Sequence, residues 1–361
     1  MRRALCLVVV AGLVALAGCA GGFGTGTNDG EDIDADGPGG NGDLEIHHID
    51  VGQADSTLVV TPDGETILID TGDWRDDGQA VIDYLDAHDI DRIDHLVATH
   101  GHSDHIGGHP AVIEYVEENG DGVGAAYDSG VAHTSATYDD YLDAIEEHDV
   151  DLIRVESGDS LPVESESVEA SILNPPEDGD GEDVDGNGIV LALEYGAFSY
   201  LTTGDADQST EARLVDDHGD ALAADAYQAG HHGSSTSSSD AFLERVDPEI
   251  AVISSALESQ YGHPHDEILE AFADRGIETY WTGVHGDIVL ATDGTDVAVE
   301  TETDASTDPE DVLERKYEAQ SALDAPATIE RPRSGGGASI DAGTDTDRPP
   351  IDGAPARTAA R

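Results

Sequence analysis

Ten residues, Thr99 to Gly108 (THGHSDHIGG), constrain this chain more than any other stretch. They set His100, His102, Asp104 and His105 within six positions, directly after an apolar run, Ile93 to Ala98, that reads as a buried strand. A strand delivers side chains rigidly to its end, and the glycines beyond this one let the backbone turn tightly. Four ligand-type groups then converge on a small volume. Imidazole nitrogens and a carboxylate suit Zn²⁺ or another first-row ion, and the set exceeds the three protein ligands that one tetrahedral ion with an open position takes. The residues therefore point to two metals, with His100 and His102 on the first and Asp104 and His105 on the second. A chain this rich in His and Asp can produce such a cluster by chance. The strand before it, Gly107-Gly108 after it and the partners downstream favour a site.

Three further segments belong with it. YLTTGD, Tyr200 to Asp205, is an apolar strand ending in Gly-Asp, so the Asp205 carboxylate sits at a strand end like the His100 loop. GHHGS, Gly230 to Ser234, follows a strand ending near Gln228 and presents His231 and His232. YGHP, Tyr261 to Pro264, offers His263 on a loop before a helix. Taken singly, each has a plainer reading: Asp205 as a helix cap, the His-His pair as exposed residues, His263 as a turn residue. Together they place one polar group after another beyond a strand.

The remaining pattern sets the fold class. Strands are expected at 44–51, 57–61, 66–70 and 93–98, and then near 124–127, 168–173, 189–194 and 198–203. Later ones follow at 224–228, 250–254 and 278–281, with a closing hairpin at 288–291 and 297–299. Helices are expected at 79–88, 109–118, 138–148, 208–217, 241–245 and 267–275. Strands in meanders, interleaved with helices in both halves, imply an α/β (α+β) chain of two mixed sheets flanked by helices.

The ends differ from this body. Met1-Arg2-Arg3, an apolar run from Ala4 to Leu16 and Ala17-Gly18-Cys19 read as a secretory signal, too short for a membrane span. LAGC looks like a lipobox, which makes residues 1–19 a lipoprotein-type signal with Cys19 as the lipidated residue. Residues 20–43, acidic and rich in Gly and Asp, read as a tether. The expected domain is 44–303, and 304–361 is expected to be a largely disordered tail, with one short helix at Asp311 to Leu323. The implied location is the outer face of the cell membrane, or secretion. Charge adds the setting: 79 Asp+Glu against 15 Lys+Arg give −64, with Lys316 the single lysine. Such a surface repels itself in dilute buffer, while at about 1 M salt the Debye length falls to roughly 3 Å. A salt-loving organism, a haloarchaeon in particular, is the expected source.

The motifs HIDVGQADS (48–56), LIDTGD (68–73), THGHSDHIGG, LTTGD, GHHGS and YGHP occur in the order of the metallo-β-lactamase superfamily. The chain resembles most the soluble hydrolase domain of ComEC-type DNA-uptake proteins and their free-standing relatives. The resemblance implies an αββα sandwich with two divalent ions, Zn²⁺ or Mn²⁺, at the sheet edges. It implies His100 and His102 on one ion, Asp104, His105 and one of His231 and His232 (His232 favoured) on the other, and Asp205 bridging. It also implies Asp70 behind the ligands, orienting an imidazole. Many members supply a third histidine to the first ion where this chain has Leu173-Asn174-Pro175. Asn174 is a poor ligand, so the first ion is expected to rest on two histidines, Asp205 and water, and to bind more weakly.

Two adjacent divalent ions acidify a water and clamp an ester oxygen as charge develops on it. Asp104 and Asp205 can accept the water's proton, and His231 or His263 can protonate a leaving group or bind an oxyanion. The reaction class is hydrolysis, and the resemblance points to phosphodiesters, nucleic acid above all. The acid excess weighs against that polymer, since there are few cations to replace phosphate counterions. The alternatives are a small ester, lactone or β-lactam as substrate, and a non-catalytic metal-binding lipoprotein. Beyond membrane and substrate, no protein partner is inferable.

Overall fold

On most strands successive side chains leave opposite faces and both faces are buried, so each sheet has to be covered on two sides. The computed structural model describes residues 42–324 except 178, 180 and 182. One sheet contains β1 (Leu44–His48), β2 (Thr57–Val60), β3 (Thr66–Ile69), β4 (Arg92–Val97), β5 (Gly122–Asp128), β6 (Leu152–Arg154), β13 (Ile288–Thr292) and β14 (Val297–Thr301). Their order is β14-β13-β1-β2-β3-β4-β5-β6. The other contains β7 (Val168–Asn174), β8 (Val190–Tyr195), β9 (Phe198–Thr202), β10 (Ala226–Gln228), β11 (Ile250–Ile253) and β12 (Glu278–Trp281), ordered β12-β11-β10-β9-β8-β7. Both sheets are mixed: β3 to β6 and β9 to β12 run parallel, and the remaining pairs are antiparallel.

Alternation divides the core into three. Val59, Ile67, Ile69 and Val97 face Ile172, Leu191, Tyr200 and Val252 between the sheets. Their neighbours Leu58, Val60, Leu68 and Leu96 turn outward, against α1 (Gln79–Ala87), α2 (His109–Asn119) and α3 (Ala136–Glu147). Beyond the second sheet, Leu201, Tyr227 and Ile253 pack on α4 (Gln208–His218), α5 (Asp240–Val246) and α6 (Asp266–Arg275). α7 (Thr282–His285) and α8 (Pro309–Asp324) complete that layer. The result is the expected αββα sandwich. In both parallel runs the carboxyl ends of the strands carry the long loops, the usual position for a site in such sheets.

Two details correct the sequence reading. Strand β6 and helix α7 were not expected. The folded body also does not stop at 303: α8 buries Val312, and Lys316 Nζ donates to the Pro264 carbonyl (2.6 Å) and to Asp266 Oδ1 (2.6 Å). The lone lysine thus ties the supposed tail to the loop that bears His263. The signal, Cys19, nearly all of the tether and the chain from 325 onward lie outside the described residues.

Two buried histidines make the fold acid-sensitive. Burial lowers His48 and His109 from 6.5 to about 3, with His105 adding to the effect on His109. Between these values the unfolded chain binds protons that the folded chain excludes. Stability therefore rises with pH through the window and is lost as pH falls, by about 1.4 kcal/mol per pH unit for each histidine. Urea midpoints measured above and inside the window should show this fall, and His48→Gln or His109→Gln should each remove its share of the slope. An unchanged slope in both variants would refute the assignment.

Candidate metal centre

The loop after β4 is fixed before any ligand is considered. Asp70, just beyond β3, sits in the left-handed region (φ 56°) and is buried. Its Oδ1 accepts from the Thr99 amide (2.9 Å), and its Oδ2 accepts from Thr99 Oγ1 (2.6 Å) and His105 Nδ1 (2.7 Å). That last bond fixes the His105 ring with its Nδ1 towards Asp70 and its Nε2 towards Asp205. Gly107 closes the turn: a Cβ there would meet the Trp74 amide nitrogen at 2.0 Å and the Ser103 carbonyl at 2.4 Å.

From the second sheet, Asp205 follows β9 and is buried, while Gly230–Gly233 turns after β10. His231 and His232 are both left-handed (φ 51° and 56°), a conformation costing about 1–3 kcal/mol for each residue. The Gly230 and His231 amides hold it by donating to Tyr227 Oη (2.9 Å) and the Gly204 carbonyl (3.0 Å). The twist sends the two imidazoles different ways. His232 turns inward, its Nδ1 donating to the Ser254 carbonyl (3.1 Å), and His231 stays about a third exposed.

Two sets of donors result. In the first, His100 Nε2 and His102 Nδ1 lie 3.1 Å apart, Asp185 Oδ1 is 3.7 and 3.2 Å from them, and Asp205 Oδ2 is 3.8 Å from His100 Nε2. In the second, His105 Nε2 is 3.2 Å from Asp205 Oδ1, and His232 Nε2 is 3.8 Å from Asp205 Oδ1 and 3.5 Å from Asp104 Oδ2. Donors about 2.0–2.1 Å from a tetrahedral ion lie about 3.3 Å from one another, and the separations given, 3.1–3.8 Å, lie near that value. His105 Nε2, His232 Nε2, Asp205 Oδ1 and Asp185 Oδ1 are buried without a hydrogen-bond partner among the described residues. Orphaned polar atoms facing one volume are the mark of a site built for a cation. The two carboxylate oxygens of Asp205 serve one set each.

The balance of charge points the same way. Burial opposes charge on His105 and His232, yet carboxylates outweigh it and hold both imidazoles well above their usual value, Asp205 and Asp70 for His105, Asp55 and Asp205 for His232. Burial likewise opposes charge on Asp205, but His105 and His232 keep its carboxyl well below the usual range. The carboxylates draw in positive charge, as protons where divalent ions are absent.

Sequence reasoning missed two acids. Asp185, on the loop between β7 and β8, places its Oδ1 beside His100 and His102, a donor position that Asn174 does not fill. Asn174 serves that loop instead: its buried Nδ2 donates to the Gly186 (3.2 Å) and Gly188 (2.5 Å) carbonyls. The sequence expectation gave the first ion two histidines, Asp205 and water; Asp185 Oδ1 lies beside those two histidines as a further candidate donor. Both ions should leave the wild type over similar chelator concentrations. In Asp185→Asn one ion per chain should leave at least about 10-fold more easily, as metal analysis after dialysis would show. Two ions leaving that variant together would exclude Asp185 as a donor.

Asp55 is the second missed acid. It clusters with His105, Asp205 and His232, but its Oδ2 faces their Nδ1 atoms, 3.9 Å from His105 and 3.6 Å from His232. Those nitrogens are engaged by Asp70 and Ser254, so Asp55 lies behind the imidazoles, and Asp104 faces the bare Nε2 of His232. Gln228 Nε2 holds Asp55 Oδ1 (3.0 Å), and the Asp55 amide donates to the Asp104 carbonyl (3.1 Å), which braces the loop.

His231 and His263 border this volume. His231 Nε2 is 3.6 Å from Asp205 Oδ2. His263 is buried, its ring 5.8 Å from that of His231 and 6.2 Å from that of His232, and Gln53 Nε2 donates to its Nδ1 (3.2 Å). Burial, then His232, His265 and His231, lower His263 to about 4.

The sequence profile of the metallo-beta-lactamase superfamily matches residues 49–256. The chain is 28% identical over 260 residues to ComE operon protein 3 of Bacillus subtilis (strain 168), covering 68% of this chain and 32% of that one. It is 31% identical over 240 residues to competence protein ComA of Neisseria gonorrhoeae, covering 66% and 30%. It thus spans just under a third of the length of these curated relatives. Among solved structures, the metallo-beta-lactamase fold protein YhfI from Bacillus subtilis aligns with 69% of this chain and 100% of its own, at 11% identity and TM-score 0.45.

Proposed function

Because the chain belongs to the metallo-β-lactamase superfamily, we propose that it is a dinuclear metal-dependent phosphodiesterase of ComEC-like type, acting on nucleic acid or a related phosphodiester. The observation that carries this reading is the pair of donor sets sharing Asp205, with orphaned, buried nitrogens and oxygens turned into one volume. His100, His102 and Asp185 would hold one ion, Asp104, His105 and His232 the other, and Asp205 both. Bound divalent ions supply Lewis acidity, which makes a water nucleophilic at neutral pH and offsets charge on a phosphoryl oxygen. Asp104, partly exposed at the rim, is placed to take a proton from the water.

The neighbouring histidines divide the remaining work. With Gln53 donating to its Nδ1, neutral His263 carries its proton on Nε2, a hydrogen-bond donor for an oxygen gaining charge. His231, at the rim and beside Asp205, is the group open to exchange protons with solvent and a leaving alkoxide. The names of the curated relatives, competence proteins among them, favour nucleic acid. The charge of −64 favours a small ester as the second reading.

A comparison in about 2 M salt with added Zn²⁺ or Mn²⁺ decides between them. Single-stranded DNA, bis(p-nitrophenyl) phosphate, a lactone and a β-lactam should be offered side by side. Metal-dependent cleavage of the first two is expected. Opening of a lactone or β-lactam with no phosphodiester cleavage would leave only the metallohydrolase, and two bound ions with no turnover would favour a binding lipoprotein. The proposed setting is the outer membrane face, through lipidated Cys19. Cys19→Ser should then release the protein from membranes.

A further inference from the structure

Beside the metal centre lies a cavity of about 350 Å³ whose lining includes Gln53, Arg75, Ser103, Asp104, Gln260 and Tyr261. Asp104 belongs to the second donor set, so cavity and centre share a wall. Tyr261 is 59% exposed, and Trp74, on the turn that carries Arg75, is 52% exposed. Only five large hydrophobic side chains are exposed among the described residues; Tyr261 lines this cavity, and Trp74 adjoins it through Arg75, which also lines it. Arg75 lies over the Trp74 ring, its Cζ 4.9 Å from the centroid. Asp73 chelates its guanidinium (Nη1 to Oδ1 3.0 Å and to Oδ2 2.9 Å), so the group offers a flat face with its charge already balanced.

We propose that Trp74, Arg75 and Tyr261 form a nucleobase-stacking subsite, so that the substrate is gripped by a base beside the scissile phosphate rather than by its phosphates. The inference rests on the phosphodiesterase reading above and deepens it. Asp73 and Asp76 also border the cavity, and no unpaired cation lines it, so phosphate is poorly received there while a neutral, flat base is not. Two amides complete the fit. Gln260 carries a donor and an acceptor. Gln53 donates its Nε2 to His263, while its buried Oε1 has no hydrogen-bond partner among the described residues. In molar salt, phosphate contacts lose their counterion-release drive, whereas stacking on aromatic rings, and on a guanidinium already paired with Asp73, depends far less on salt.

The test is equilibrium binding of a fluorescein-labelled phosphorothioate oligothymidylate, followed by anisotropy in molar salt, against an abasic oligomer of the same backbone. The abasic oligomer should bind roughly 5- to 150-fold more weakly, as should oligothymidylate to Trp74→Ala or Tyr261→Ala. Binding should change little as salt is raised. Intrinsic fluorescence gives a second readout, because Trp281 is fully buried and stacking should quench only Trp74. Equal affinity for the two oligomers, or a steep loss with salt, overturns the subsite. Hydrolysis of bis(p-nitrophenyl) phosphate by the wild type separates the two failures. Turnover without base-dependent binding defeats this inference alone, and neither turnover nor binding defeats the phosphodiesterase reading as well.

Discussion

Replacing Asp205 with asparagine is expected to empty both halves of the metal centre at once. Each carboxylate oxygen of Asp205 faces a different donor set, Oδ2 towards His100 and Oδ1 towards His105 and His232. Asparagine keeps the shape, and so the packing, but offers one weakly basic oxygen and a donor that repels a cation. It also removes one of the anions that hold His105 and His232 above their usual pKa, leaving Asp70 beside the first and Asp55 and Asp104 beside the second. Metal content should fall from about two ions per chain to near zero, and turnover should fall with it. The loss should exceed the roughly 10–100-fold that an outer orienting partner such as Asp70 is worth. Asp70→Asn beside Asp205→Asn, both checked for fold by circular dichroism in high salt, gives the comparison. Two ions retained in Asp205→Asn would show that the bridge has been misread.

What was legible in the sequence follows from the range of the forces involved. The alternation of Val59, Ile67 and Ile69 with Leu58, Val60 and Leu68 is a local record of which face meets which layer, so the two-sheet sandwich could be read. Strand β6 left no such record: its three residues are all exposed at a sheet edge, and Leu152 and Ile153 are 38% and 40% exposed. The clustering of donor groups on the His100 loop was legible because one turn carries them. His231 and His232 were not separable, since a left-handed backbone, invisible in composition, decides which ring turns inward. Asp185 stands in an acidic, glycine-rich loop where nothing local distinguishes it from Asp183. The signal lay elsewhere, in Asn174, a non-ligand at a strand end that calls for a replacement donor nearby. Asp55 was visible as part of HIDVGQADS, but its role depends on Gln228, 173 residues away.

His263→Ala and His231→Ala are expected to separate by leaving group. From sequence alone either histidine could protonate the departing oxygen. The structure makes His263 the weaker acid catalyst, because burial and three neighbouring imidazoles lower it to about 4, so it is neutral at neutral pH. Divalent ions beside it would favour the neutral form further. A neutral imidazole stabilises charge on an oxygen through its N–H without giving up the proton. That contribution, about 10²–10³-fold by comparison with a lost oxyanion-hole donor, is needed whatever group departs. His263→Ala should therefore slow an alkyl phosphodiester and a p-nitrophenyl phosphodiester by similar factors. It should leave the metal content and the acid limb of the pH profile in place. His231 is exposed enough to exchange its proton, and general acid catalysis is worth about 10²–10⁴-fold where the leaving group is a strong base. His231→Ala should slow the alkyl substrate by that order and the p-nitrophenyl substrate far less, since p-nitrophenolate leaves without help. If instead His263→Ala shows the leaving-group selectivity and His231→Ala does not, the two roles are exchanged. The bound substrate's negative charge must then raise His263 into the neutral range.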